Sequence, residues 1–291
     1  MMRMASLTAA LMICLPVISL AAESLTGTPA APDGRARVTA AMAVGPGRGG
    51  ALAVDVTMTA IGQQRPITRY EAELSKQLHL IAISSDFSTF VHEHADKADA
   101  RGHFKATLRL PRPGSYHVYA DAVPAGLGQQ VMRFELNGGT APAGQPGPAL
   151  APALEAGNGR YAVRFAPFVL RAGEEGELSL NLLRDGKPAP DVTPFLGVAA
   201  HAVFIAVADL SYVHVHATPI TAGKPSPGTA AHQGMAMPGG DAMPVPLRAG
   251  ARVPANLTLH VLAPRAGTYR LWVQFMAGGL VRTVPFVVTV T

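Results

Sequence analysis

The sequence predicts an all-β protein made of two β-sandwich domains in tandem. Three observations carry that prediction: short β-branched runs punctuated by Gly, Pro and Asp, the lack of any stretch with a helical period, and an internal repeat. In the first repeat the runs lie near 36–44, 51–59, 78–84, 89–94, 104–110, 116–122 and 129–136. In the second they lie near 161–170, 176–183, 200–207, 211–216, 254–262, 268–275 and 280–290. Seven such runs per repeat are enough for two facing sheets, each hiding its apolar side against the other.

The stretch 137–157 is rich in Gly, Pro and Ala and has no apolar period, so it reads as a linker between a first domain at 23–136 and a second at 158–291. An insertion at 217–250 in the second domain is too polar and too rich in Gly and Pro to be expected as a strand.

Residues 1–22 read as a secretory signal peptide: an early charge at Arg3, an apolar run from Leu7 to Leu20, and a small-residue end at Ala21 and Ala22. The only cysteine, Cys14, leaves with it, which removes disulfides, thiolate metal sites and cysteine nucleophiles together. No later window is apolar for about 18 residues, so no membrane-spanning helix is expected after cleavage, and the protein is expected in the periplasm or secreted. The formal net charge of +5 is modest and its Arg and Lys residues are scattered, which argues against a nucleic-acid partner.

The repeat is clearest around three histidines. His79 opens one apolar run that leads to His92-Glu93-His94, and His201 opens the matching run that leads to His214-Val215-His216, with the same offsets of 0, 13 and 15. With 10 histidines in 291 residues, three coincident matches by accident would be on the order of one in ten thousand or rarer. Inheritance by duplication explains the coincidence equally well without a function. Downstream, Pro111-Arg112-Pro113-Gly114-Ser115-Tyr116 matches Pro264-Arg265-Ala266-Gly267-Thr268-Tyr269. A Gly-x-Tyr just before a strand resembles the tyrosine corner of immunoglobulin-like sandwiches, so the expected fold is immunoglobulin-like, here without the usual cysteine pair.

Residues i and i+2 of a strand share a face, so His92 lies beside His94, and His214 beside His216. A hairpin centred between Asp86 and Phe87 sets His79 opposite His94, and the same construction sets His201 opposite His216. Facing Cβ atoms stand about 5 Å apart and imidazoles bind zinc or copper at roughly 2 Å, so each hairpin is expected to hold one ion of its own. Nitrogen donors suit Cu(II), Zn(II) or Ni(II) rather than calcium or magnesium. His79 shares its side with Ile81 and Ile83, and His201 with Val203 and Ile205, so that side should look inward, where an unpaired polar group is costly. Asp121 is a candidate fourth ligand, with Gln274 at the corresponding place in the second repeat. His103 and His117 read as structural. Asp86 and Asp209, one position out of step, read as turn residues. In the insertion, His232, Met235, Met237 and Met243 add soft donors of the kind Cu(I) prefers, in a loop that offers no core for methionine to fill.

The histidine segments and the Pro-Arg-x-Gly-x-Tyr segment together resemble a family of bacterial exported two-domain proteins associated with heavy-metal or copper handling. The resemblance carries the six histidines as candidate ligands and implies no reaction. The expected function is therefore a metal-binding protein, for copper or alternatively zinc, that buffers the ion or passes it to a metal-handling partner without catalysis. Two alternatives stay open. A cupin-like metalloenzyme is partly resembled by His92-x-His94 followed by Gly114 and His117, but the glutamate expected soon after His-x-His is missing. A sandwich serving adhesion or assembly would leave the histidines without a role.

Overall fold

The computed structural model describes residues 23–30, 35–140, 151–220 and 246–291. The expected signal peptide, and most of the 217–250 insertion including His232, Met235, Met237 and Met243, lie outside these residues. The chain is almost wholly β, as its pattern predicts, with seven principal strands in each half. The first half has β1 (Val38–Pro46), β2 (Leu52–Ala60), β3 (Leu78–Ser84), β4 (Phe90–Ala95), β5 (His103–Leu108), β6 (Ser115–Pro124) and β7 (Gln130–Asn137). The second has β8 (Tyr161–Phe165), β9 (Glu175–Arg184), β10 (Ala200–Ala206), β11 (Tyr212–Pro219), β12 (Asn256–Leu262), β13 (Gly267–Ala277) and β14 (Leu280–Val290).

In the first half β1, β2 and β5 form one sheet and β7, β6, β3 and β4, in that order, form the other. Short strands such as Glu23–Thr26 and Tyr70–Glu71 extend their edges. The second half repeats the plan, with β8, β9 and β12 against β11, β10, β13 and β14. There the end of β11 crosses over, pairing Thr218 and Pro219 with Thr258 and Leu257 of β12, so the two sheets run into one another. The strand thus enters the segment expected to be a loop. The run expected over 161–170 stops at Phe165, two residues before Pro167, which cannot donate to a ladder.

Alternation explains the outer sheets. On β1, Val38, Ala40, Met42 and Val44 are buried and the residues between them exposed, the mark of a sheet with one wet face. β3 and β10 are buried along their whole length, so both faces are covered. One face of β3, Leu78, Leu80 and Ala82, belongs to the first sandwich core. The other, with Ile81 and Ile83, packs with Val203 and Ile205 of β10, Tyr119, Tyr212 and Trp272 in a third cluster between the halves. The molecule is therefore a four-layer stack, and the side that was expected to look inward looks into the seam between the halves, not into its own sandwich.

Two aromatic stacks cross the seam. Phe90 lies on Trp272 with ring centroids 5.0 Å apart, and Tyr212 lies on Tyr119 at 5.1 Å. The alignment makes Phe90 the counterpart of Tyr212 and Tyr119 that of Trp272, so the contacts are reciprocal, as across a two-fold axis. Each stack adds about 0.5–1.5 kcal/mol beyond its buried area.

The corners are also matched. The Tyr116 hydroxyl donates to the Arg112 carbonyl (2.8 Å) and Tyr269 to the Arg265 carbonyl (2.9 Å), which is the tyrosine corner expected from Gly-x-Tyr. Arg112 pairs with Asp86 (3.1 Å) and Arg265 with Asp209 (2.7 Å). Each aspartate caps its hairpin by accepting from the amide and hydroxyl of the serine two residues on, across a residue in the left-handed region, Phe87 (φ 57°) or Leu210 (φ 60°). Both are turn residues, as read.

Candidate metal centre

The ladder of β3 and β4 pairs His79 with His94, and that of β10 and β11 pairs His201 with His216, the register expected from the hairpins. Because these strands line the seam from both sides, the two sets of three histidines meet. His79 and His214 have ring centroids 5.0 Å apart, His92 and His201 5.5 Å, and His92 and His214 5.5 Å. Within one half the separations are comparable for His79 and His92 (5.4 Å) and His201 and His214 (5.5 Å), and shorter for the pairs with His94 (4.2 and 4.9 Å) and His216 (4.8 Å). Candidate donor groups of both kinds result: His201, His214 and His216 lie within one half, as expected of a separate site, whereas His79, His92 and His214 draw on both. Sequence offsets fix which histidines share a strand face but not which faces meet.

Nδ1 of His79 lies 3.2 Å from Nε2 of His92, and Nδ1 of His201 lies 3.2 Å from Nε2 of His214. The other ring nitrogens point outward to acceptors. His92 Nδ1 reaches Oε1 of Gln274 (2.8 Å), whose amide nitrogen is fixed on Thr283, and His214 Nδ1 reaches Asp121 (3.4 Å). His201 Nε2 reaches the Phe195 carbonyl (3.1 Å), and His79 Nε2 faces the Glu73 carboxylate at 3.7 Å. For His92, His201 and His214 these acceptors favour a proton on the outer nitrogen, which turns the lone pair of the other nitrogen inward. Two ligands at 2.0–2.1 Å from a tetrahedral ion would be about 3.3 Å apart, close to the spacing of both pairs.

Asp121 and Gln274 thus do the same job by reciprocal reach, each from one half to the first histidine of the other half's His-x-His. The loss of the carboxylate in the second repeat is no loss of role, because an amide oxygen also accepts. Asp121 is fully buried and takes further hydrogen bonds from Tyr212 (3.1 Å) and Gln129 (2.9 Å). Glu73 was missed in the sequence. Its counterpart is Phe195, so no repeat marked it. Both sit in a tight turn ahead of the histidine strand, followed by a left-handed leucine, Leu74 (φ 62°) or Leu196 (φ 53°), that turns them into the seam. Glu73 lies 3.7 Å from His216 as well as from His79.

Three-donor groups whose ligand atoms all lie within 4.8 Å are His79, His92 and His214; His201, His214 and His216; and Glu73, Asp121 and His214. These groups could hold a metal ion. His94 packs its ring 4.2 Å from that of His92 but joins none of the three. The buried His79 Nε2, His94 Nε2 and Glu73 Oε2 make no hydrogen bond. His103 and His117 stay outside, bonded to Asp55 (2.8 Å) and Glu135 (2.6 Å).

Burial, reinforced by the neighbouring histidines, drives His79, His92 and His201 well below the usual imidazole range, and burial takes His94 down to about 3. Burial also opposes a charge on His214, but the Asp121 hydrogen bond and the nearby Glu73 and Asp121 charges outweigh it and raise its pKa. Burial and the Asp121 charge push Glu73 up to about 7. The centre therefore presents His79, His92, His94 and His201 as neutral imidazoles, the form that binds metals, while the acidic neighbours of His214 favour its charged form.

A family model described as a domain of unknown function (DUF8832) matches residues 30–138 and 155–291. No curated protein and no solved structure matches the chain.

Proposed function

The chain belongs to the DUF8832 family, and from the histidine centre that its two matched segments build together we propose a metal-binding protein that takes up copper outside the cytoplasm and buffers it or hands it on without catalysis. The observation that carries the reading is the pair of close ring nitrogens, His79 to His92 and His201 to His214, each 3.2 Å apart, with the outer nitrogens of His92, His201 and His214 held by Gln274, the Phe195 carbonyl and Asp121. Such tethering is how proteins orient imidazoles for a metal. Neutral nitrogen donors exclude calcium and magnesium and suit copper or zinc. The methionines at Met235, Met237 and Met243 favour copper, because thioethers bind Cu(I) and add little for zinc.

The non-catalytic reading is supported by burial: His79 and His201 are 1% exposed and sit inside the packed seam, away from the surface a substrate would meet. His94 and His216, less deeply buried, lie on the side by which an ion would enter. Export, which would give the protein access to extracytoplasmic copper, rests on the signal-like residues 1–22. The test is elemental analysis of untagged protein purified from the exported fraction, with copper expected at stoichiometric level. Folded protein that carries no metal and takes none up from solution would refute the reading.

A further inference from the structure

Resting on the metal-binding reading, the geometry points to a single ion shared by four histidines, His79 and His92 from one half and His201 and His214 from the other. The six separations among these four rings are 5.4, 6.2, 5.0, 5.5, 5.5 and 5.5 Å. Rings bound to one tetrahedral ion through bonds of 2.0–2.1 Å would have centroids about 5.2 Å apart in every pair. Across the seam His79 and His214 stand 5.0 Å apart, and the ligand atoms of His79, His92 and His214 all lie within 4.8 Å of one another, so one candidate group already draws on both halves.

The outer shell supports the same assignment. His214 belongs to all three candidate donor groups, yet its Nδ1 is engaged by Asp121, so its one remaining nitrogen can serve one ion only. Two dications a few ångströms apart would also repel strongly in a buried seam, where Asp121 and Glu73 are the acidic side chains within reach. Four imidazole donors with a carboxylate behind one of them suit one dication or one Cu(I). In the shared site His201 and His214 serve this ion rather than the alternative group that they form with His216 in their own half, and His94 joins no group.

The ion therefore clasps the two halves, and removing a ligand from either half should cost the same ion. The test uses the full chain, untagged and metal-free, titrated with Co(II) alone and followed by d–d absorption, with bound metal counted after desalting. One ion per chain is expected, with the intense absorption of tetrahedral cobalt. His92→Ala and His214→Ala, in different halves, should each lower affinity at least 100-fold, and the double variant should hold no fewer ions than either single variant. His94→Ala and His216→Ala should each retain one ion. Two ions per wild-type chain, or one ion left at full affinity in either His92→Ala or His214→Ala, would overturn the shared site and leave the metal reading standing. A folded wild type that takes up no Co(II), zinc or copper would overturn both. Two ions per wild-type chain would refute the shared site even if a variant fails to fold, and loss of the ion in His92→Ala distinguishes it from a site of His201, His214 and His216 alone.

Discussion

The metal-free protein should lose stability steeply in mild acid. His79, His92, His94 and His201 have folded pKa values depressed below the unfolded value near 6.5. In the window between the two values the unfolded chain holds the extra protons, so stability is full above about pH 6.5 and falls as pH drops. Each such histidine contributes about 1.4 kcal/mol per pH unit in that window, His94 somewhat less because it is partly exposed. Glu73 works against them. Its folded pKa of about 7 lies above the unfolded one, so it favours the folded state at low pH and loses that contribution as pH rises through 7. His214, also raised, has its full effect below the unfolded value and adds no slope there. The net excess of about three protons on the unfolded chain gives roughly 4 kcal/mol per pH unit between pH 6 and 5, a large share of the 5–15 kcal/mol that holds a typical domain together. Urea denaturation of metal-free protein at half-unit steps from pH 7.5 to 4.5 would measure it. A midpoint that stays level between pH 6.5 and 5 would refute the picture of neutral histidines packed in a dry seam. Saturating metal should move the whole transition to lower pH, since it binds only the folded form.

Trp272→Ala should cost about 3–5 kcal/mol by denaturation, because it empties the stack with Phe90 in the seam. Tyr269→Phe removes the corner hydrogen bond to Arg265 and should cost about 1 kcal/mol in the same assay without changing metal stoichiometry. Asp121→Asn should weaken metal affinity by about 10–100-fold in a competition titration, since it leaves the His214 ring less firmly oriented and less basic. Changing Met235, Met237 and Met243 together to Leu should weaken Cu(I) binding against a chelator under reducing conditions and leave zinc affinity unchanged. Equal Cu(I) affinity in the two proteins would shift the reading from copper towards zinc.

Local features were legible because they are written in periods and punctuation. The runs at 78–84 and 280–290 coincide with β3 and β14, and the hairpin arithmetic set His79 against His94 correctly, since strand faces alternate strictly. What lies beyond one sandwich was not legible. Ile81 and Ile83 show that a second face of β3 is apolar, but a side chain does not say what covers it, and the cover is the other half of the chain. Glu73 escaped for a related reason. Its place in the centre depends on a left-handed turn at Leu74, a residue type that gives no sign of positive φ. The Asp121 and Gln274 mismatch looked like a failed repeat because residue identity was compared, whereas what the two halves share is an accepting oxygen.

The reciprocal seam also bears on what a duplicated chain can do that a pair of identical subunits cannot. In a symmetric dimer of one half, whatever stood behind one histidine would stand behind its mate, so the second layer could hold two carboxylates or none. Covalent linkage lifts that constraint. Asp121 stands where the other half has Gln274, and Glu73 where it has Phe195, so the two ends of the centre are backed by different groups. An ion held there meets a carboxylate behind His214 and an amide behind His92, an asymmetry that two identical subunits could not present.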